Sequence, residues 1–348
     1  MDFLMLCIIG ITLLFIEKDF REYNYLLIVI IGLLFTCATS TMDSFAYENS
    51  FNMIVNNASF DSIIQMGYGI DLGFLFCMKL VSIFTNNYLI FRLCIFCISI
   101  CFIILAIRKI DKKFSNSLIM YFLFPMLYDT FQIEFFLAYS IITYGLAILV
   151  KSEKYCILKY IILVVVASFI HESVIVFLVF VFVKNNNGKF FKKIILCWII
   201  GFTVLNIFLR VNIVKSITNV LPVLGNFVGN YANGNVLNIL TIIMSCTLFI
   251  FLLYYSFCIK NNSEDSNMLF LINCWSMIFL PMIFTSLDFE RLFRPIQIID
   301  YAYIINSASF KDKKLKTLEI IIIGMLLFRF WVLFDYYISN YNDVINVL

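Results

Sequence analysis

Arg291 and Arg294 stand three residues apart in Asp288-Phe-Glu-Arg-Leu-Phe-Arg-Pro295, directly after Glu290. On a helix that spacing puts both guanidinium groups on one face, where their planar forks suit bidentate contact with phosphate or pyrophosphate. The same pair would serve equally well as an intramolecular clamp, holding a carboxylate and joining two helices. His171, the only histidine in the chain, lies in Ser168-Phe-Ile-His-Glu-Ser173. At a membrane–water boundary an imidazole can donate to a phosphate oxygen or move a proton. The plain alternative is a satisfied packing residue. Its neighbour Glu172 points about 100° away on a helix, so the two need not cooperate.

Asp43 and Tyr47 are i,i+4 neighbours in Asp43-Ser-Phe-Ala-Tyr47. A carboxylate beside an aromatic ring suits sugar, accepting hydroxyl hydrogen bonds while the ring stacks on a pyranose face. Ser40, Thr41 or Asp43 could instead cap a helix there. Asp129, Glu134 and Asp300 are further candidates. Asp300 falls inside an apolar run, where a carboxylate is costly unless paired, and Arg294 or Arg329 would be its partner.

The elements that must position these residues are membrane helices. The chain has 348 residues, of which 63% are hydrophobic and 14% charged, and its mean hydropathy is +0.98. A soluble domain carries about a quarter charged residues, and one core could not hide this much apolar surface. A soluble enzyme, a nucleic-acid binder and a disordered chain are all excluded. The net charge of +3 says little. Nearly all of the eleven cysteines sit in apolar runs as small packing residues. There is no Gly-rich phosphate loop, HExxH motif or nucleophile elbow, so neither a cofactor nor a metal is expected.

Apolar runs fall near 3–16, 25–39, 88–107, 115–127, 134–150, 157–170, 173–183, 194–209, 237–259, 268–287, 295–310 and 317–334. The first has no basic residue before it and is read as a short span rather than a cleaved signal. Eighteen of the twenty-five basic residues, among them Arg108, Lys109, Lys151, Lys184, Lys193, Lys260 and Lys314, fall in or beside alternate loops. Under the positive-inside rule this predicts an all-α fold of about twelve crossings with both termini outside. The run 72–85 must then fail to cross, and is read as a re-entrant or surface helix on the outer side. The region 157–183 is read as a bent helical pair with His171 and Glu172 at its outer tip. The whole chain, 1–348, is one polytopic unit with outer loops near 40–87, 210–236 and 288–294. Residues 23–78 hold Asp43, Glu48, Asp61 and Asp71 but no Lys or Arg. Arg210, Arg291 and Arg294 lie in outer loops, and Arg92 and Arg329 near the outer ends of spans. Basic residues on the disfavoured side tend to have a task, so the outer face is read as the working face.

In these features the chain resembles the EpsG/Wzy family of bacterial polysaccharide polymerases. The resemblance rests on Asp43 and Tyr47 after the second span, on Glu134 with Ala138, on Ala167, Ile170, His171 and Ser173, and on Arg291 with Arg294. It covers residues 25–310. Family members carry arginine where Glu134 stands, so here Arg92, Arg291 or Arg294 must supply that charge. The resemblance implies a glycosyltransferase of GT-C-like architecture in the bacterial plasma membrane. It would join undecaprenyl-pyrophosphate-linked oligosaccharide repeat units into capsule, exopolysaccharide or O-antigen on the outer face. It implies no cofactor, metal or nucleic acid, and as partners the lipid-linked substrate, membrane lipid, a chain-length regulator and the pathway's flippase. His171, Asp43 and Glu290 would be catalytic; Arg291, Arg294, Arg92, Tyr47, Glu134 and Arg210 would bind substrate.

Two other classes compete. A lipid-linked oligosaccharide flippase would also carry charges within about twelve spans, but should show two similar halves and a central cavity reached from both sides. A polysaccharide O-acyltransferase would need its histidine reachable by a cytoplasmic acyl donor.

Overall fold

The computed structural model describes residues 21–37, 42–66, 68–111, 115–184, 200–201, 239–283, 287–307 and 313–345. Among these residues every regular element is helical. They are α1 (Arg21–Cys37), α2 (Met42–Val55), α3 (Phe60–Gln65), α4 (Leu72–Ser82), α5 (Tyr88–Ile110), α6 (Ser115–Leu123), α7 (Ile133–Val150) and α8 (Cys156–Ile170). A 3₁₀ segment, Glu172–Val183, follows, then α9 (Ile239–Ile259), α10 (Glu264–Ser276), α11 (Arg294–Ser307) and α12 (Lys313–Ile345), with shorter helical turns at Met126–Asp129, Met277–Phe279, Leu280–Ile283 and Leu287–Phe293. Within a bilayer, helices satisfy every backbone hydrogen bond internally, which is why the long apolar runs take this form.

Among the described residues, four helical stretches are long and apolar enough to cross a membrane: Tyr88–Ile110, Ile133–Val150, Ile242–Ile259 and Glu264–Ile283. The expected span near 3–16, that near 194–209 apart from residues 200–201, and the loop 210–236 lie outside the described residues. The run 115–127 is not one helix. Pro125 stops α6 at Leu123, because proline offers no N–H and crowds the preceding turn. With 11 residues, α4 is about 16 Å long, too short to cross, in keeping with a surface or re-entrant helix.

Helix α7 is the axis of the bundle. Nearly all of it is buried, against α5, α8, α10 and α11. Gly145 lets α8 close in, since a Cβ there would stand 2.9 Å from the Tyr160 ring. Beyond His171 the chain doubles back on α8. Tyr160 donates to the Phe177 carbonyl at 2.9 Å, and Lys184 Nζ reaches Cys156 Sγ at 3.1 Å. The two arms have 15 and 12 residues. A 3₁₀ helix rises about 2.0 Å per residue against 1.5 Å for an α-helix, so the 15-residue α arm reaches about 22 Å and the 12-residue 3₁₀ arm about 24 Å. The tighter winding stretches the shorter arm to match the longer one.

The bundle has two chemically different ends. At one, Glu153 pairs with Lys109 and, at 3.0 Å, with Lys159, while Lys151 meets Asp265 at 2.8 Å. Solvent-accessible pairs like these, half-buried except at Lys159, contribute little, but they locate the lysine-rich loops together. At the other end lie Asp43, Asp71, Glu134, His171 and Arg291. Along the outward face of α5, Cys97, Ile98, Cys101 and Leu105 are exposed, an apolar surface fit for hydrocarbon.

Arg92, expected to touch substrate, is fully buried in α5 and engaged by the fold. Its Nη2 donates to the carbonyls of Phe35 at 2.6 Å and Thr130 at 2.7 Å, and its Nη1 to Ser44 Oγ at 3.2 Å. Phe35 lies in the last turn of α1, whose carbonyls lack intrahelical donors, and a cation there also suits the helix dipole. Asp300 accepts from Asn273 at 2.7 Å. The arginines expected to pair with it go elsewhere, Arg294 to Asp129 and Arg329 to Glu290. Arg92→Ala takes the guanidinium donors away from two buried carbonyls, and a buried acceptor that loses its donor costs about 1–3 kcal/mol. Its melting temperature in detergent should fall by several degrees; an unchanged melt would show that Arg92 is free for substrate.

Candidate active site

Asp71 stands at the N-terminus of α4, where an aspartate ordinarily caps its own helix. Here the side chain makes no such cap. It reaches instead to the tip of the α8 hairpin, where Oδ2 accepts from His171 Nδ1 at 3.0 Å and from the Glu172 backbone N–H at 2.9 Å. The Glu172 N–H opens the 3₁₀ arm and has no partner within it. Asp71 therefore caps a helix from a distance and orients the imidazole with the same oxygen. A carboxylate only accepts, so Nδ1 carries the proton. Nε2 is left buried, with no hydrogen-bond partner among the described residues.

Glu134, in the first turn of α7, completes the group. Its Oε1 accepts from the Asp71 N–H at 2.9 Å and lies 3.7 Å from His171 Nδ1, while its Oε2 accepts from Tyr47 at 3.4 Å. Burial disfavours the protonated form of His171. The hydrogen bond to Asp71 and the Glu134 carboxylate close by outweigh that burial and the repulsion from Arg291, and hold its pKa above the ordinary histidine value.

Arg291 occupies a 3₁₀ turn, Leu287–Phe293, with its guanidinium 5.0 Å from the Phe135 ring centre. It lies within electrostatic reach of both His171 and Asp43. Asp43 opens to solvent at the rim. Protein crowding its inner side raises its carboxyl above the usual range, Arg291 pulls it down, and Asp288 pushes it up. Arg294 begins α11, a position where the helix dipole disfavours a cation. It is tied there by Asp129, at 3.0 Å, and lies over the Tyr128 ring at 4.9 Å. The other oxygen of Asp129 accepts from Tyr121 at 3.1 Å and from Tyr139. Arg294 thus forms a clamp of the kind the spacing allowed, and braces the segment that carries Arg291.

These features, one buried imidazole, flanking acids and a cation at one end of a helical bundle, coincide with a family match over residues 23–345. The chain belongs to the EpsG family. It is the family of Wzy-type polysaccharide polymerases, as the resemblance in the sequence implied. No curated protein and no solved structure matches the chain.

Of the residues expected in an EpsG-type site, Asp43, Tyr47, Glu134, His171 and Arg291 come together. Arg294 stands behind them on Asp129, and Arg92 beneath them in the core. Glu290 takes a hydrogen bond from Ser245 at 2.8 Å and pairs with Arg329. Arg210 lies outside the described residues. Asp71 was not among the expected site residues. In the sequence it is one acid of a basic-free loop, and its position before an apolar helix reads as a cap.

Gly73 sets the approach of α4 to the hairpin. A Cβ there would come within 2.0 Å of the Phe169 carbonyl oxygen, so any side chain must push α4 away and carry Asp71 from His171. Gly73→Ala should cost about 1–3 kcal/mol and abolish polymer formation while the protein still inserts. Wild-type polymer length from this variant would show that the Asp71–His171 contact is dispensable.

Proposed function

We propose that this chain is a polymerase that joins undecaprenyl-pyrophosphate-linked oligosaccharide repeat units on the outer face of the bacterial plasma membrane. Arg291 holds the donor's pyrophosphate, with Arg294 bracing it from below. An acceptor hydroxyl attacks the donor's anomeric carbon, the bond from that carbon to the pyrophosphate oxygen breaks, and lipid pyrophosphate leaves. The hydroxyl proton passes to His171 Nε2. Asp71 holds Nδ1–H, fixing the tautomer and stabilising the imidazolium that forms. Asp43 and Tyr47 receive the acceptor sugar at the rim. Pyrophosphate is already a good leaving group, so the residues need only stabilise its growing charge and take one proton.

The observation that carries this reading is the convergence of Asp43, Asp71, Glu134, His171 and Arg291 at the bundle end opposite the lysine clusters. The positive-inside rule supports assigning that end to the outside. A polymerase needs its cation and base on one face, whereas a flippase needs charges reachable from both.

Arg291→Ala should cut polymerisation by about a hundred- to a thousand-fold, the usual effect of removing one donor at a site of developing charge. On a gel the ladder of surface glycan should collapse to single units while the protein inserts normally. A normal ladder would sink the assignment. Acid should also stop the reaction, because only neutral His171 accepts a proton. Activity in membranes should rise with pH through a midpoint above the ordinary histidine value of 6.5. Asp71→Asn, which removes the anionic acceptor, should move that midpoint down, and an unmoved midpoint would remove His171 from the base role.

A further inference from the structure

Asp71, Glu134 and His171 come from three separate stretches of chain, yet their donor atoms all lie within 4.8 Å of one another. His171 Nδ1 is 3.0 Å from Asp71 Oδ2 and 3.7 Å from Glu134 Oε1. Bonds of about 2.0–2.1 Å around a tetrahedral Zn²⁺ place neighbouring ligands about 3.4 Å apart, between the two observed distances. The carboxylates are already oriented from behind. Backbone N–H groups of Glu172 and Asp71 bond one oxygen of each, and Tyr47 bonds the other Glu134 oxygen. Outer partners of this kind normally fix metal ligands. His171 and Glu134 are more than nine-tenths buried, and a dication would neutralise the two carboxylates facing a neutral imidazole.

We propose that Asp71, Glu134 and His171 form a site for one borderline transition cation of the Zn²⁺ class, and that holding it silences His171 as a proton acceptor. A mixed set of one nitrogen and two oxygens suits such ions, whereas Mg²⁺ and Ca²⁺ favour oxygen alone. As the cation takes Nδ1, the single ring proton moves from Nδ1 to Nε2, so the imidazole stays neutral and Nε2 has no lone pair to offer the acceptor hydroxyl. The silencing rests on the polymerase reading; the binding does not.

The test titrates the purified full chain in lipid nanodiscs with Co²⁺, whose visible absorption reports four- or five-coordinate nitrogen and oxygen ligands. One equivalent should bind, Zn²⁺ should displace it, and both Glu134→Gln and Asp71→Asn should lose the bands while eluting and melting as folded protein. No absorption, or bands unchanged in both variants, overturns the site. With binding established, Zn²⁺ added to membranes should shorten the glycan ladder at least ten-fold, and EDTA should restore it. Binding that leaves the ladder intact overturns the silencing and, with it, His171 as the base.

Discussion

Asp71 gives its carboxylate not to its own helix but to a hairpin tip one hundred residues further along the chain. That contact does two things at once. It satisfies the Glu172 N–H, which would otherwise stand unpartnered at the start of the 3₁₀ arm, and it fixes the imidazole of His171. The site and the turn therefore share one oxygen atom. Gly73 permits it by letting the backbone of α4 touch that of α8. Because buried donors are costly to leave unpaired, the arrangement is held by the fold as well as by the chemistry it serves.

The arginines separate into distinct roles through their surroundings. Arg92 lies among backbone carbonyls and closes the end of α1. Arg294 and Arg329 each meet a carboxylate. Arg291 rests against the Phe135 ring with Asp43 and His171 in electrostatic reach. A planar, forked cation held against an aromatic face suits a ligand with several oxygens. Position in sequence could not sort these residues, since all stand near the ends of apolar runs.

How much could be read in advance follows from the range of the interaction involved. The hairpin over 157–183 was legible because lysine clusters on both sides forbid a single crossing. The way its short arm reaches far enough was not, because 3₁₀ winding leaves no mark in the apolar pattern. The pairing of Asp43 with Tyr47, and of Arg291 with Arg294, followed from i,i+3 and i,i+4 spacing. Asp71, Glu134 and His171 are separated by 63 and 37 residues, and no periodicity links such positions. Asp300 was expected beside an arginine and found instead on Asn273.

By itself the sequence determined the solvent of this protein and which of its loops carry the lysines. Apolar runs choose helices because lipid offers no hydrogen bonds, and lysines choose a side because charge crosses a bilayer at high cost. Both effects act locally, residue by residue. What the tertiary structure alone decided was which titratable groups meet. A carboxylate becomes an orienting partner, a clamp or a rim contact according to what packs within a few ångströms of it, and that is settled only when α4, α7 and the hairpin close on one another.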